Sequence, residues 1–214
     1  MKRPIRNEDR SRASWLVPIG LLVLGIVPGI GGALRLAELG HGAPITAENA
    51  RFFAALAPVA LHIVSAVLFS ELGAFQFFPG LRRRRPLWHR YTGRLAAPLG
   101  LAAALSGLWM TLFYPNADAN FDGPAVYGMR LAVGSGMTLA MVLALAAIAR
   151  RDIPVHQRWM TRAYALGMGA GTQVFTHIPW SVWPELHGEL LRAVCMGTGW
   201  IINIVVAEWI IKRQ

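Results

Sequence analysis

Two stretches of this chain share one pattern. Pro86-Leu87-Trp88-His89-Arg90-Tyr91-Thr92-Gly93-Arg94 and Pro154-Val155-His156-Gln157-Arg158-Trp159-Met160-Thr161-Arg162 each set a proline, a histidine and then Arg-aromatic-x-x-Arg ahead of an apolar run. Imidazole nitrogen is a good axial ligand for haem iron, and guanidinium pairs with carboxylates such as haem propionates. His89 and His156 therefore read as the ligand pair of a b-type haem, with Arg90, Arg94, Arg158 and Arg162 on its propionates. Beyond His89, Gly93, Ala96, Ala97, Gly100, Ala103, Ala104 and Gly107 recur at 3- to 4-residue spacing and so share one helix face. A stripe that small leaves a groove for a porphyrin. From His156 the corresponding face carries Met160, Ala163, Gly167, Ala170 and Gly171, and arrives near His177. A plainer account fits the same residues: the arginines meet lipid phosphates, the aromatics form an interfacial belt and the small residues pack helices.

Two more histidines lie within apolar runs. His62 falls about ten residues into its helix, roughly 15 Å deep at 1.5 Å per residue, and His177 lies near the outer surface. A second haem between them must bridge a level difference of about 10 Å; a single haem on His62 with another partner is the other arrangement. Glu71 and Glu208 are carboxylates inside apolar segments, costly there and so functional candidates. Glu71 is nine residues from His62 and faces the opposite side of the helix; Glu208 is one turn from Lys212 and reads as its ion-pair partner. His41 and His187 fall in loops. The single cysteine, Cys195, permits no intrachain disulfide, and there is no C-x-x-C-H, phosphate loop, nucleophile elbow or H-E-x-x-H.

These residues need a scaffold, and composition says which. Of 214 residues, 55% are hydrophobic and 15% charged, against roughly 25% charged in a soluble domain. The charges cluster between long apolar runs, and about 20 apolar residues suffice to cross a bilayer. The chain reads as a single all-α membrane domain, 1–214: a polytopic bundle of six transmembrane helices at about 15–34, 52–81, 95–113, 125–149, 158–180 and 192–211. The first run is too long for a signal peptide and reads as an uncleaved helix. Seventeen of the 21 basic residues fall at the termini and in the even-numbered loops; only Arg35, Arg51, Arg130 and Arg192 fall on the other side. The positive-inside rule then puts both termini in the cytoplasm of a bacterial inner membrane. The net charge of +10 belongs to these loops, so the partner is the lipid bilayer and not nucleic acid.

The stretch Leu61–Gln76, the His89-Arg90-x-x-Gly93-Arg94 and His156-x-x-Trp159-Met160-x-Arg162-x-Tyr164-Ala165 motifs, and the closing Trp200…Asn203…Ala207-Glu208-Trp209 resemble a family of prokaryotic membrane proteins defined by a domain of unknown function. The resemblance spans about residues 55–210 and implies no reaction. More distantly, the layout resembles six-helix, two-haem transmembrane cytochromes b, which pass electrons from ascorbate or quinol and draw paired ligands from four central helices. Here the fourth helix has no histidine and the fifth would supply two. Three functions compete: a b-type haem protein for transmembrane electron transfer, with quinone or a redox partner; a proton-linked transporter using His62, Glu71 and Glu208; and a scaffold or assembly subunit without chemistry. If the chain is an enzyme at all, it is a membrane oxidoreductase.

Overall fold

The computed structural model describes residues 7–115 and 121–213; Lys2, Arg3 and Arg6 of the basic N-terminus lie outside them. Among the described residues the chain is all-helical: α1 Asn7–Gly40, α2 Ala50–Ala54, α3 Leu56–Gln76, α4 Pro79–Arg84, α5 Pro86–Phe113, α6 Pro124–Ala149, α7 Ile153–Gly167, α8 Gly169–Thr176, α9 Ile178–Val182 and α10 Glu189–Ile211. Hydrophobicity is distributed as lipid requires. Large apolar side chains point outward, as Leu16, Val23, Ile30 and Leu34 do on α1, and Ile201 and Val205 on α10. The interior is built largely of small residues and methionine: Ala96, Ala97, Ala104, Met137, Ala140, Met141 and Ala163 close around Phe69 and Tyr164. In water that outer surface would be an aggregation liability; in hydrocarbon it is solvated, and small interior residues let backbones approach. Five helices are long and apolar enough to cross a membrane: Trp15–Gly40, Leu56–Gln76, Pro86–Phe113, Pro124–Ala149 and Glu189–Ile211.

Helix α3 packs between α1 and α5, α6 between α5 and α7, and α10 closes the bundle against α6, α7 and α8. Contacts fix which termini meet. Trp15 stacks against Phe78 at 4.1 Å, Gln76 donates to Thr92 and Arg162 pairs with Glu208. These join the start of α1, the α3–α5 junction, the start of α7 and the end of α10 into one arginine-rich end. At the opposite end the Tyr114 hydroxyl donates to the Ala55 carbonyl and Thr176 to that of Cys195.

Two expected helices are divided, for local reasons. The run 52–81 breaks at Ala55, which is extended. Pro58 has no N–H to offer the Ala54 carbonyl, so a helix through this point would lose a bond; it restarts with Pro58 in its first turn, where no donor is needed. The run breaks again at Phe78, held extended as the residue before Pro79, which opens α4. The expected fifth crossing, 158–180, is interrupted at Met168 and at His177. Pro179 accounts for the second break, since it cannot donate to the Phe175 carbonyl. The first comes from neighbours. A Cβ at Gly169 would collide with the Trp200 indole, and one at Gly171 would lie 2.6 Å from the Leu24 carbonyl oxygen. Glycine admits α10 and α1 to this distance, and the glycine-rich stretch does not hold a straight helix. The divided path still runs antiparallel along α10, from Arg162 beside Glu208 to Thr176 beside Cys195.

Candidate functional site

Between α3, α5, α6 and the α7–α8 path lies a cavity of about 360 Å³, within the range of small-molecule sites. Its floor is Phe69, Met137 and Gly167, and Ala103, Ala104 and Gly107 form one wall. Gly134 and Ala170 face it from α6 and α8, and Gln173 and Trp200 add two polar groups. Its mouth, at the end away from the arginine-rich loops, holds Arg51, Tyr114 and Arg130.

His62 is the ionisable side chain deep in this cavity. Its Nδ1 lies 2.9 Å from the Ala103 carbonyl and 3.3 Å from the Ser106 hydroxyl. A carbonyl only accepts, so Nδ1 carries the proton, and in the neutral ring Nε2 keeps its lone pair. A histidine ligand to a metal is commonly oriented in this way, with its second nitrogen on a backbone carbonyl. Gly107 makes room for the ring: a Cβ there would come within 3.2 Å of the His62 Cε1.

The mouth is strongly charged. Asp122, buried, accepts from both terminal nitrogens of Arg130 at 2.8 and 3.1 Å. Arg51 and Arg192 reach the same carboxylate at 3.7 and 3.6 Å. The Nε atoms of Arg51 and Arg192 are buried without a hydrogen-bond partner. Burial pushes the Arg51 guanidinium below its ordinary value; Asp122 opposes this, and Arg130 and Arg35 add to the lowering. Burial raises the Tyr114 phenol, whose hydroxyl is tied to Ala55. The fourth cation on this side, Arg35, pairs with Glu38 and lies over Phe52.

The residues expected to hold haem at the arginine-rich end lie apart from this cavity. His89 opens α5 with its Nδ1 buried and unpartnered, within electrostatic reach of Arg82 and His156. The His156 Nδ1 donates to the Ala144 carbonyl at 2.9 Å. The stripe above His89 is not an open groove. A Cβ at Gly100 would meet Phe69 at 2.7 Å and Met141 at 3.0 Å, and Ala96 and Ala97 are buried against the same core. The cavity reaches neither His89 nor His156. Arg90, Arg94 and Arg158 are exposed. Arg162 is engaged, with Glu208 at 2.6 and 3.0 Å and with Trp159 at 4.6 Å. That contact also corrects the expected pairing of Glu208 with Lys212: the fork of Arg162 reaches across from α7 and binds both carboxylate oxygens.

His177 is not part of the cavity. Its Nδ1 donates to the Gln173 carbonyl in its own turn, and its Nε2 is buried without a partner. Glu71 faces α1, where a Cβ on Gly25 would lie 3.1 Å from its Oε1, while His62 faces α5. The opposite orientation of these two residues is as their spacing implied. Sequence reasoning passed over Asp122, Arg51, Arg130 and Arg192 as sites. The available signal was that three of them are among the only four basic residues on the side away from the arginine-rich loops.

An outward-apolar helical bundle with an internal cavity defines a polytopic helical membrane protein. The family model described as "Predicted membrane protein (DUF2306)" matches residues 59–211, and the chain belongs to that family. No curated protein and no solved structure matches it.

Proposed function

We propose that this chain crosses a bacterial cytoplasmic membrane six times, both termini inside, and holds b-type haem beside His62 for electron transfer through that membrane. One observation carries the reading: His62 lines a cavity walled by alanine and glycine, with Nδ1 engaged and Nε2 left to a ligand. Small side chains on α5, α6 and the α7–α8 path suit a flat group, and Met110 or Met137 in the walls would be available as a thioether ligand beside His62. Haem would supply one-electron chemistry; the protein supplies the imidazole, a water-poor wall and the charge at the mouth. The His89–His156 pair lies outside this cavity, and further along α5 Phe69 and Met141 cover the small-residue stripe at Gly100. A quinone would use the same cavity, with the second N–H of the Gln173 amide, whose nitrogen also donates to the Met196 carbonyl, as a donor.

The deciding measurement is a dithionite-reduced minus oxidised spectrum of the detergent-purified protein. A Soret band is expected, abolished in His62→Ala and retained in His89→Ala. A featureless visible region would remove the haem reading.

A proton-linked carrier is the second reading. The interrupted α7–α8 path borders the cavity, as broken helices do in secondary transporters. Glu71 is half-buried at the interface with α1 and has no ion pair among the described residues. This reading requires colourless protein and loss of transport in Glu71→Gln.

A further inference from the structure

We propose that the arginines at the cavity mouth bind the carboxylate of an amphipathic ligand whose apolar body occupies the His62 cavity. The inference rests on the cavity being a ligand site, and not on that ligand being haem. Two parts of one space carry it. The inner part is apolar, with Phe69, Ala104 and Met137 in its lining. The outer part carries Arg51 and Arg130, and an adjoining recess shares both arginines and adds Asp122 and Tyr127.

Charge and hydrogen bonding at the mouth are both unbalanced among the described residues. Three guanidinium groups surround one buried carboxylate. Arg130 uses two nitrogens on Asp122; Arg51 approaches it through a terminal nitrogen at 3.7 Å and keeps a buried Nε–H without an acceptor, while the Arg192 Nε faces the same carboxylate at 3.6 Å and its guanidinium lies over Trp180. A buried donor left unmatched is costly, and a second carboxylate at the mouth would match that of Arg51 and add a counter-charge to the cluster. Glu189 does not fill the role: its carboxylate packs on Gly123 and makes no ion pair with these arginines. Asp118 lies outside the described residues. The cluster stands where a polar head would emerge from lipid and the cavity where its body would lie, so position and chemistry agree.

Two sources share this chemistry, a haem propionate and a free long-chain acid, and paired probes separate them. The full chain in lipid nanodiscs would be titrated with cis-parinaric acid and its alcohol, and with haemin and haemin dimethyl ester. In at least one pair the acid should bind tenfold or more tightly than its neutral partner. In the Arg51→Gln, Arg192→Gln double variant that preference should vanish, while binding of the neutral partner persists and reports an intact cavity. Gly107→Leu should weaken both members of the pair. Preference in the haemin pair alone assigns the site to propionate, and preference in the parinaric pair alone assigns it to a lipid acid even if the protein proves colourless. Equal binding of acid and neutral forms in both pairs overturns the proposal, as it would if Asp118 neutralised the cluster. So does a preference that survives the double variant.

Discussion

Asp122 is the residue on which the charged end depends. Its side chain is 3% exposed and holds Arg130 in a two-point contact, with Arg51 and Arg192 close by. Asp122→Asn leaves three cations facing one another without the carboxylate they share. Removing one partner of a buried ion pair costs about 3–5 kcal/mol. We expect Asp122→Asn to lower the midpoint of SDS-induced unfolding in mixed micelles by an amount in that range; a midpoint equal to wild type would mean that the arginines are held otherwise. Arg162→Ala is the contrasting case, because the exposed part of the Arg162–Glu208 pair is screened. Legibility in sequence divides along the same line. The histidines and the arginines of the arginine-rich loops stood out through a repeated local motif. The Asp122 cluster did not, because its members come from α2, the segment before α6, α6 itself and α10, and no spacing rule links them. What was visible was the distribution of basic residues: only four arginines fall on the side that the positive-inside rule leaves poor in them. Three meet at one carboxylate and the fourth has Glu38.

At the level of elements, the same glycine chemistry has opposite consequences at different places. Gly73 on α3 faces Tyr164 on α7, where a Cβ would overlap the ring at Cε2. The ring cannot swing away freely, since the Tyr164 hydroxyl donates to the Ser70 carbonyl at 2.7 Å and the ring also packs against Phe69 and Phe77. Gly73→Ala must therefore separate α3 from α7, and overpacking of this kind costs about 1–3 kcal/mol. Gly31 on α1 has nothing within 4 Å of a built Cβ. There Gly31→Ala should be neutral or mildly stabilising, within about 0.5 kcal/mol. Unfolding midpoints of the two variants measured side by side test the packing, and equal midpoints would mean that α3 and α7 are not in contact. At Pro58, Pro79 and Pro179 the sequence carried a local signal, a missing N–H, yet the expected helices 52–81 and 158–180 ran through all three, because proline inside an apolar run is tolerated in lipid. The break at Met168 carried no such signal, because its cause is the approach of Trp200 and Leu24 from other helices. The small-residue stripe on α5 was read correctly as one face. Its use changes along its length: near Gly100 it is covered by Phe69 and Met141, and only from Ala103 to Gly107 does it border open space. Periodicity identifies a face but not what packs against it.

For the whole molecule, the open question is whether the chain crosses the membrane five times or six. Five helices meet the length and hydropathy of a span, and α7 does not, since it starts with a polar, arginine-bearing turn and ends at a break. An odd count would put the two ends of the chain on opposite sides. The packing argues for an even one. The path 153–182, at 1.5 Å per residue, is about 45 Å long, enough to traverse a hydrocarbon layer of about 30 Å even when kinked. It is tied to α10 along its length, by Arg162–Glu208 near one end, Asn203 to the Ala165 carbonyl in the middle and Thr176 to the Cys195 carbonyl near the other. Backbone groups freed at the breaks must find partners inside a membrane, and the Met168 amide still reaches the Tyr164 carbonyl at 2.9 Å while that of His177 reaches Gln173. A divided helix so satisfied can lie within the bilayer. We therefore expect a reporter that is active only outside the cytoplasm to be silent when fused at either terminus or after Arg151, and active when fused after Val182. Activity at the C-terminus, with silence after Val182, would instead leave α7–α9 folded on the arginine-rich side, and the wall that places Gly167 and Ala170 beside His62 could not then lie within the membrane.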